Sequence, residues 1–180
     1  RFGYRDSFFK REGKGRFAIL SVNLRLSRQP TLQVSYGAIR DELAKTGKLE
    51  FTPRDVSDAV IRIRQSKLPD PAQIGNAGSF FKNPEIPQPQ FDALKAQYPA
   101  LPSYPGSQPG LVKVPAGWLI EHAGWKGHRE GNFGVHAQQA LVLVNYGGAS
   151  GKDILDLSSR IMADIHQKFG IELEREVNVV

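Results

Sequence analysis

Ala140-Leu141-Val142-Leu143-Val144 is a continuous apolar run, closed by Gly147-Gly148. Its length and β-branched valines predict a central strand, buried on both faces of a sheet. Two long amphipathic patterns lie on either side of it in the chain. Thr52-Pro53-Arg54-Asp55 opens the first: the threonine can cap, the proline fits the first turn and the aspartate favours the positive helix end. Val56, Ala59, Val60 and Ile63 then fall on one face, and Pro69 and Pro71 end the helix. Ile154, Leu157, Ile161 and Ile165 mark the second, which ends at Gly170. Shorter helices are predicted over 38–45, around Phe91, Leu94 and Tyr98, and from Pro115 to Glu121. Leu20, Val22, Leu24 and Leu26 alternate with Ser21, Asn23 and Arg25, which predicts a half-buried strand over 17–26. Short strands are predicted around Leu32 and Val34, over 111–114, and from Ile171 to Val177. Pro99 to Pro109 and the glycine-rich stretch 124–136 read as loops. Helices and strands mix without a βαβ rhythm or an internal repeat, so the fold class expected is α+β.

At 180 residues the chain can build one full core with an extra lobe. No apolar run approaches the ~20 residues of a membrane span, and no export signal is visible. The absence of cysteine excludes disulfides, thiolate metal sites and cysteine nucleophiles, and suits the cytoplasm. Lys+Arg 24 against Asp+Glu 18 gives a net charge of +6. The basic residues are scattered, and the densest piece, Lys10 to Arg16, reads as a solvated turn. Without an RNP, zinc-finger or helix-turn-helix signature, the charge favours an anionic small ligand over nucleic acid. A chain opening on Arg1-Phe2-Gly3-Tyr4-Arg5-Asp6-Ser7, with no initiator methionine, reads as a fragment of a longer protein.

Metal, hydrolase and nucleotide-loop chemistry find no motif. His122, His128, His136 and His166 lack zinc spacing. There is no G-x-S-x-G elbow, Walker loop or G-x-G-x-x-G. His136, beside Gln138 and Gln139, is open to a ligand contact or to a structural hydrogen bond. Gly75-Asn76-Ala77-Gly78-Ser79-Phe80-Phe81-Lys82-Asn83-Pro84 sets one hydroxyl, one cation and two amides among small residues and two aromatic anchors. Two readings stand: an ordinary turn leading into a strand, or a loop that lets a ligand approach the backbone. The other polar candidates are Arg5, Tyr36, Lys67, Gln139 and Glu176. Arg5 offers a planar fork for a carboxylate, and Lys67 and Tyr36 suit phosphates. Ser79 has no base near it in sequence. It is a poor nucleophile but a reasonable proton donor to a carbanion or enolate. Glu176 could orient a substrate or place a charge. Taken singly, each is more readily explained as a structural surface residue.

Taken together, several segments resemble the C-terminal half of the UDP-N-acetylenolpyruvoylglucosamine reductase (UDP-N-acetylmuramate dehydrogenase) family, in the subtype with a tyrosine loop. They are Phe2 to Ser7, Lys67-Leu68-Pro69-Asp70-Pro71, Gly75 to Pro84, Ala116-Gly117-Trp118-Leu119-Ile120, Val135 to Leu143, and Leu173-Glu174-Arg175-Glu176-Val177, in family order. The resemblance implies an NADPH-dependent, FAD-mediated reduction of UDP-N-acetylglucosamine enolpyruvate to UDP-N-acetylmuramate, for peptidoglycan precursors, in a cytoplasmic monomer without nucleic-acid or membrane partners. It gives Ser79 the role of proton donor. Arg5 and Glu176 would polarise the enolpyruvyl carboxylate. Tyr36, Lys67, Asn83 and Gln139 would bind the UDP-sugar, while Tyr4 and Gly78 would face the flavin. Two positions depart from the family pattern, Arg175 for proline and Asn178 for arginine, and neither replaces Glu176.

The resemblance also implies a division of the chain. Residues 1–30 would be the last strands of a flavin domain, 31–54 a connector with the tyrosine loop, and 55–180 the substrate-binding domain with mixed sheet and packed helices. The family's pyrophosphate-binding segment lies upstream, and no segment of residues 1–180 reads as such a cradle. The chain by itself is therefore expected to be inactive. The competing expectation is a non-catalytic module that holds a UDP-sugar.

Overall fold

The computed structural model describes residues 2–3, 5–35 and 37–179. Tyr4 and Tyr36, two of the candidate ligand contacts, lie outside the described residues. The chain forms two compact units, Arg1–Lys67 and Leu68–Val180.

The first unit opens with a two-stranded antiparallel ribbon, β1 (Phe2–Gly3) and β2 (Asp6–Ser7). Arg5, in the connection, has φ 53°, a left-handed conformation that costs a non-glycine residue about 1–3 kcal/mol. Residues 17–26 form no strand, contrary to their alternation. Leu20 is 94% exposed and Leu26 83%. Alternation specifies a face, but a strand exists only where its amides and carbonyls find a partner, and no described residue pairs with this stretch. The strand expected near Leu32 and Val34 is also absent.

Val34 packs instead on a small core of Ile39, Leu43 and Ala59. Two helices build that core, α1 (Ile39–Ala44) and α2 (Pro53–Lys67). α2 starts where the sequence predicts it. The Thr52 amide donates to Asp55 Oδ2 at 2.8 Å, and the Asp55 amide donates to Thr52 Oγ1 at 3.2 Å. This reciprocal pair satisfies two amides that a helix start otherwise leaves without partners. Glu42 ties the helices together through Arg62 at 2.7 Å.

The second unit contains β3 (Gly75–Ser79), β4 (Glu85–Pro87), α3 (Gln88–Gln97), β5 (Tyr104–Pro105) and β6 (Leu111–Lys113). Then follow α4 (Ala116–His122), β7 (Arg129–Glu130), β8 (Phe133–Val135), β9 (Val142–Asn145) and α5 (Gly151–Phe169). One antiparallel sheet has the order β3-β9-β8-β7 and a second the order β4-β6-β5. The fold is α+β, with helices packed on antiparallel sheets. The apolar run 140–144 supplies β9, an interior strand whose Val142, Leu143 and Val144 are at most 2% exposed. α5 lies against β8 and β9 and buries Leu157, Ile161 and Ile165 completely. A capping box of Ser150 and Asp153 starts α5, and Gly170 at φ 64° ends it.

Two loops expected from sequence hold strands. Within 99–109, Tyr104–Pro105 pairs with β6. Within 124–136, β7 and β8 form a hairpin across Gly131-Asn132. Gly131 has φ 54°, as the first position of a type II′ turn requires. The last expected strand reduces to a single bridge, Phe81 to Arg175. Its apolar residues Ile171 and Leu173 are buried in the core all the same.

Candidate active site

The segment 75–84 is a strand with a defect built into it. Asn76 stands opposite Val144 and Ser79 opposite Val142, so β3 carries one more residue than β9 over that interval. This is a β-bulge, a device that re-aims the side chain after it. Gly78 supplies it with φ 71°, and a Cβ there would meet nothing within 4 Å. Glycine is thus required by the backbone and not by crowding. Asn76 braces the bulge: its Oδ1 accepts from the Gly78 amide at 3.0 Å, and its Nδ2 donates to Ile74 O at 2.9 Å. Sequence reasoning missed Asn76. The signal was an asparagine two residues before a glycine, where its side chain can bond its own backbone.

Beyond the bulge, Ser79 is half-buried and the chain is anchored on both sides. Phe80 and Phe81 are buried, edge to face at 5.4 Å. The Phe80 amide donates to Leu141 O at 2.7 Å, and Phe80 O accepts from the Glu176 amide at 2.9 Å. The Lys82 amide donates to Glu174 O at 2.9 Å, and the Lys82 and Glu174 side chains form an ion pair. Residues Glu174 to Glu176 are thereby stitched to the segment that begins at Ser79, although 97 positions separate Ser79 from Glu176 in the sequence.

Asn83 and Gln139 meet at the start of α4. Asn83 Oδ1 accepts from the Ala116 amide at 3.0 Å. It caps a helix whose preceding residue, Pro115, provides no side-chain cap. A Cβ on Gly117 would sit 3.4 Å from Leu141 Cγ and 3.8 Å from Gln139 Oε1. The Gln139 side chain therefore lies over the first turn of α4, and Oε1 also accepts from the Leu141 amide at 3.5 Å. Half-buried His136 accepts from the Gln138 amide through Nδ1 at 3.4 Å, a structural bond.

Alongside β3 opens a cavity of about 660 Å³, bordered by Asn76, Ala77, Phe80, Leu143, Ile154 and Val177. None of Ser79, Asn83, Gln139 and Glu176 lines it; backbone bonding through Phe80 sets Glu176 beside Ser79, while Asn83 and Gln139 lie at the first turn of α4. Arg5 and Lys67 belong to the first unit, on the β1–β2 connection and at the last residue of α2. Among the described residues, no group of three or more His, Cys, Asp or Glu side chains is placed to hold a metal ion. No helix among them is long and apolar enough to cross a membrane.

Comparison with known proteins settles the family. Residues 70–180 match the model of the UDP-N-acetylenolpyruvoylglucosamine reductase C-terminal domain. The chain belongs to the UDP-N-acetylenolpyruvoylglucosamine reductase family. The reductase of Burkholderia cenocepacia is 57% identical over 178 residues, covering 97% of this chain and 50% of that protein. The reductase of Pseudomonas putida is 53% identical over 178 residues, covering 99% and 52%. The chain spans about half the length of these curated reductases. A crystal structure of the Thermus caldophilus reductase is 25% identical, with TM-score 0.42, over 70% of this chain and 33% of that one. The family match takes in Ser79, Asn83, Gln139 and Glu176, whereas Arg5 and Lys67 precede it.

Proposed function

We propose that this chain is the substrate-handling half of an NADPH-dependent flavin reductase. Its substrate would be UDP-N-acetylglucosamine enolpyruvate and its product UDP-N-acetylmuramate, a precursor of peptidoglycan. The observation that carries this reading is the bulge at Gly78. It interrupts β3 just before half-buried Ser79, whose next residue, Phe80, accepts from the Glu176 amide, in a chain 57% identical over 178 residues to a named reductase.

The overall change adds a hydride and a proton across a carbon–carbon double bond. Bound FAD would supply the hydride, after taking it from NADPH. At Gly78 a Cβ would meet no atom within 4 Å, so the backbone there would be open to contact by that group. Hydride arrival at one alkene carbon leaves an electron pair on the other, beside the substrate carboxylate. The Ser79 Oγ–H donates its proton to that carbon, completing the new C–H bond. A neutral hydroxyl suits this step because a strongly basic carbon needs no acidic donor. The Arg5 guanidinium stabilises the charge that builds on the carboxylate, with Glu176 orienting the same end of the substrate. Lys67, Asn83, Gln139 and Tyr36 would hold the UDP-sugar, and Tyr4 and Gly78 would contact the flavin.

The test is a Ser79→Ala variant of the full-length protein under anaerobic conditions. NADPH should bleach its flavin at the normal rate. Reoxidation by the enolpyruvyl UDP-sugar should slow by about 10²–10⁴-fold, the usual worth of a positioned proton donor. Unimpaired reoxidation would remove Ser79 from the reaction.

A further inference from the structure

Ser158 is fully buried in the middle of α5. A hydroxyl in that position needs partners for its proton and for its lone pairs. Its Oγ donates to Leu155 O at 2.7 Å and accepts from Arg175 Nε at 2.8 Å. Ser159, the next residue, repeats the pattern. Its Oγ donates to Leu155 O at 3.0 Å and accepts from Arg175 Nη2 at 2.7 Å. Both hydroxyl protons are committed to the helix, so both oxygens are left as acceptors, at the spacing of a guanidinium fork. Lysine, a point donor on a flexible stem, could not engage both with fixed geometry.

The backbone of Arg175 is held from the other side. Residue 175 bridges Phe81, Glu174 O accepts from Lys82, and the Glu176 amide donates to Phe80 O. Anchoring the tail by burial does not need arginine here, since Leu173 and Ile171 already insert into the core. The fork adds a rotational constraint at the residue immediately before Glu176.

We propose that Arg175 is the positioning residue for Glu176. Its clasp on Ser158 and Ser159 fixes the direction in which the Glu176 carboxylate leaves the tail. The inference rests on the role given to Glu176 above. It makes α5, which otherwise serves the core, part of the support of the site.

Two measurements on the full-length protein test it. The first is hydrogen exchange at single amides. Arg175→Ala should speed exchange at the Glu176 amide by about tenfold or more. The Phe80 amide, bonded to Leu141, should be unchanged. The Ser158→Ala, Ser159→Ala double variant should reproduce this, and Arg175→Lys should rescue little of it. The second is kinetic. Arg175→Ala should lower kcat for the enolpyruvyl UDP-sugar by about 10- to 100-fold, the scale of a small misplacement, with KM changed less than about twofold. In a Glu176→Gln background the same change should cost less than about twofold, because the group it positions is already gone. Unchanged exchange at Glu176, or an equal loss in both backgrounds, would overturn the proposal. Failure of the reductase reading itself would show separately, as a parent protein that turns over no enolpyruvyl substrate, and the exchange measurement then decides the clasp.

Discussion

Two glycines show how differently one residue type is constrained. Gly78 occupies φ 71° with open space around its missing Cβ. Gly134 carries no positive φ, but a Cβ there would lie 2.2 Å from His128 O and 2.9 Å from Arg129 Cα, both backbone atoms that cannot swing aside. Gly78→Ala should cost about 1–2 kcal/mol, the left-handed penalty alone. Gly134→Ala should cost more, because the β7–β8 hairpin has to part to admit the methyl group. Urea unfolding of the two variants checks the ranking, and equal losses would contradict it. At this scale the sequence was informative about chemistry and silent about support. Ser79 stands out as a hydroxyl among small residues. Nothing local shows that Asn83 caps a helix 33 positions on, or that Arg175 grips Ser158 and Ser159. Those partners are far apart in sequence, and single-sequence patterns carry no information about pairing.

Elements with their own boundary signals were legible. α2 and α5 carry capping pairs and a 3.6-residue apolar period, and β9 is apolar throughout. The hairpin of β7 and β8 was hidden because its strands are two and three residues long, too short for a period to emerge. Its Gly131-Asn132 turn was the readable signal. This hairpin is also tied to α5. Arg160 meets Glu130 at 2.8 Å and His128 Nε2 lies 2.6 Å from it. These contacts, Arg160 first, hold the Glu130 carboxyl at about 2, well below its ordinary 4.5. A carboxylate depressed in the folded state stabilises it above the unfolded value, and that stability drains away as pH falls through the folded one. The contribution is therefore complete above about pH 5 and lost between roughly pH 4.5 and 2. Because the side chain keeps about a third of its exposure, screening limits the loss to about 1 kcal/mol or less. Unfolding curves from pH 7 to 3 should fall less steeply for Glu130→Gln than for the parent. Identical slopes would show that the pair contributes nothing.

Across the whole molecule, the two units differ in how they satisfy their apolar residues. The second closes a core around Phe81, Leu119, Ile120, Ile161 and Ile165. The first leaves Leu20, Val22, Leu24 and Leu26 at least 73% exposed. An alternating apolar stretch with unpaired backbone is a template for association. Replacing Leu20 and Leu24 by lysine should reduce self-association of this chain in sedimentation while leaving the melting of residues 68–180 unchanged. A lowered melting temperature for that unit would mean that its core depends on the stripe. The sequence by itself determined the α+β class, the positions of the long helices and the central strand, and the family, because each rests on short-range periodicity or on motifs carried in order along the chain. Tertiary structure alone decided that 17–26 is no strand, that a bulge interrupts β3 just before Ser79, and that the tail of Glu174 to Glu176 lies against Phe80 to Lys82. Pairing is a property of two segments, and a strand without its partner has no means of satisfying its own backbone.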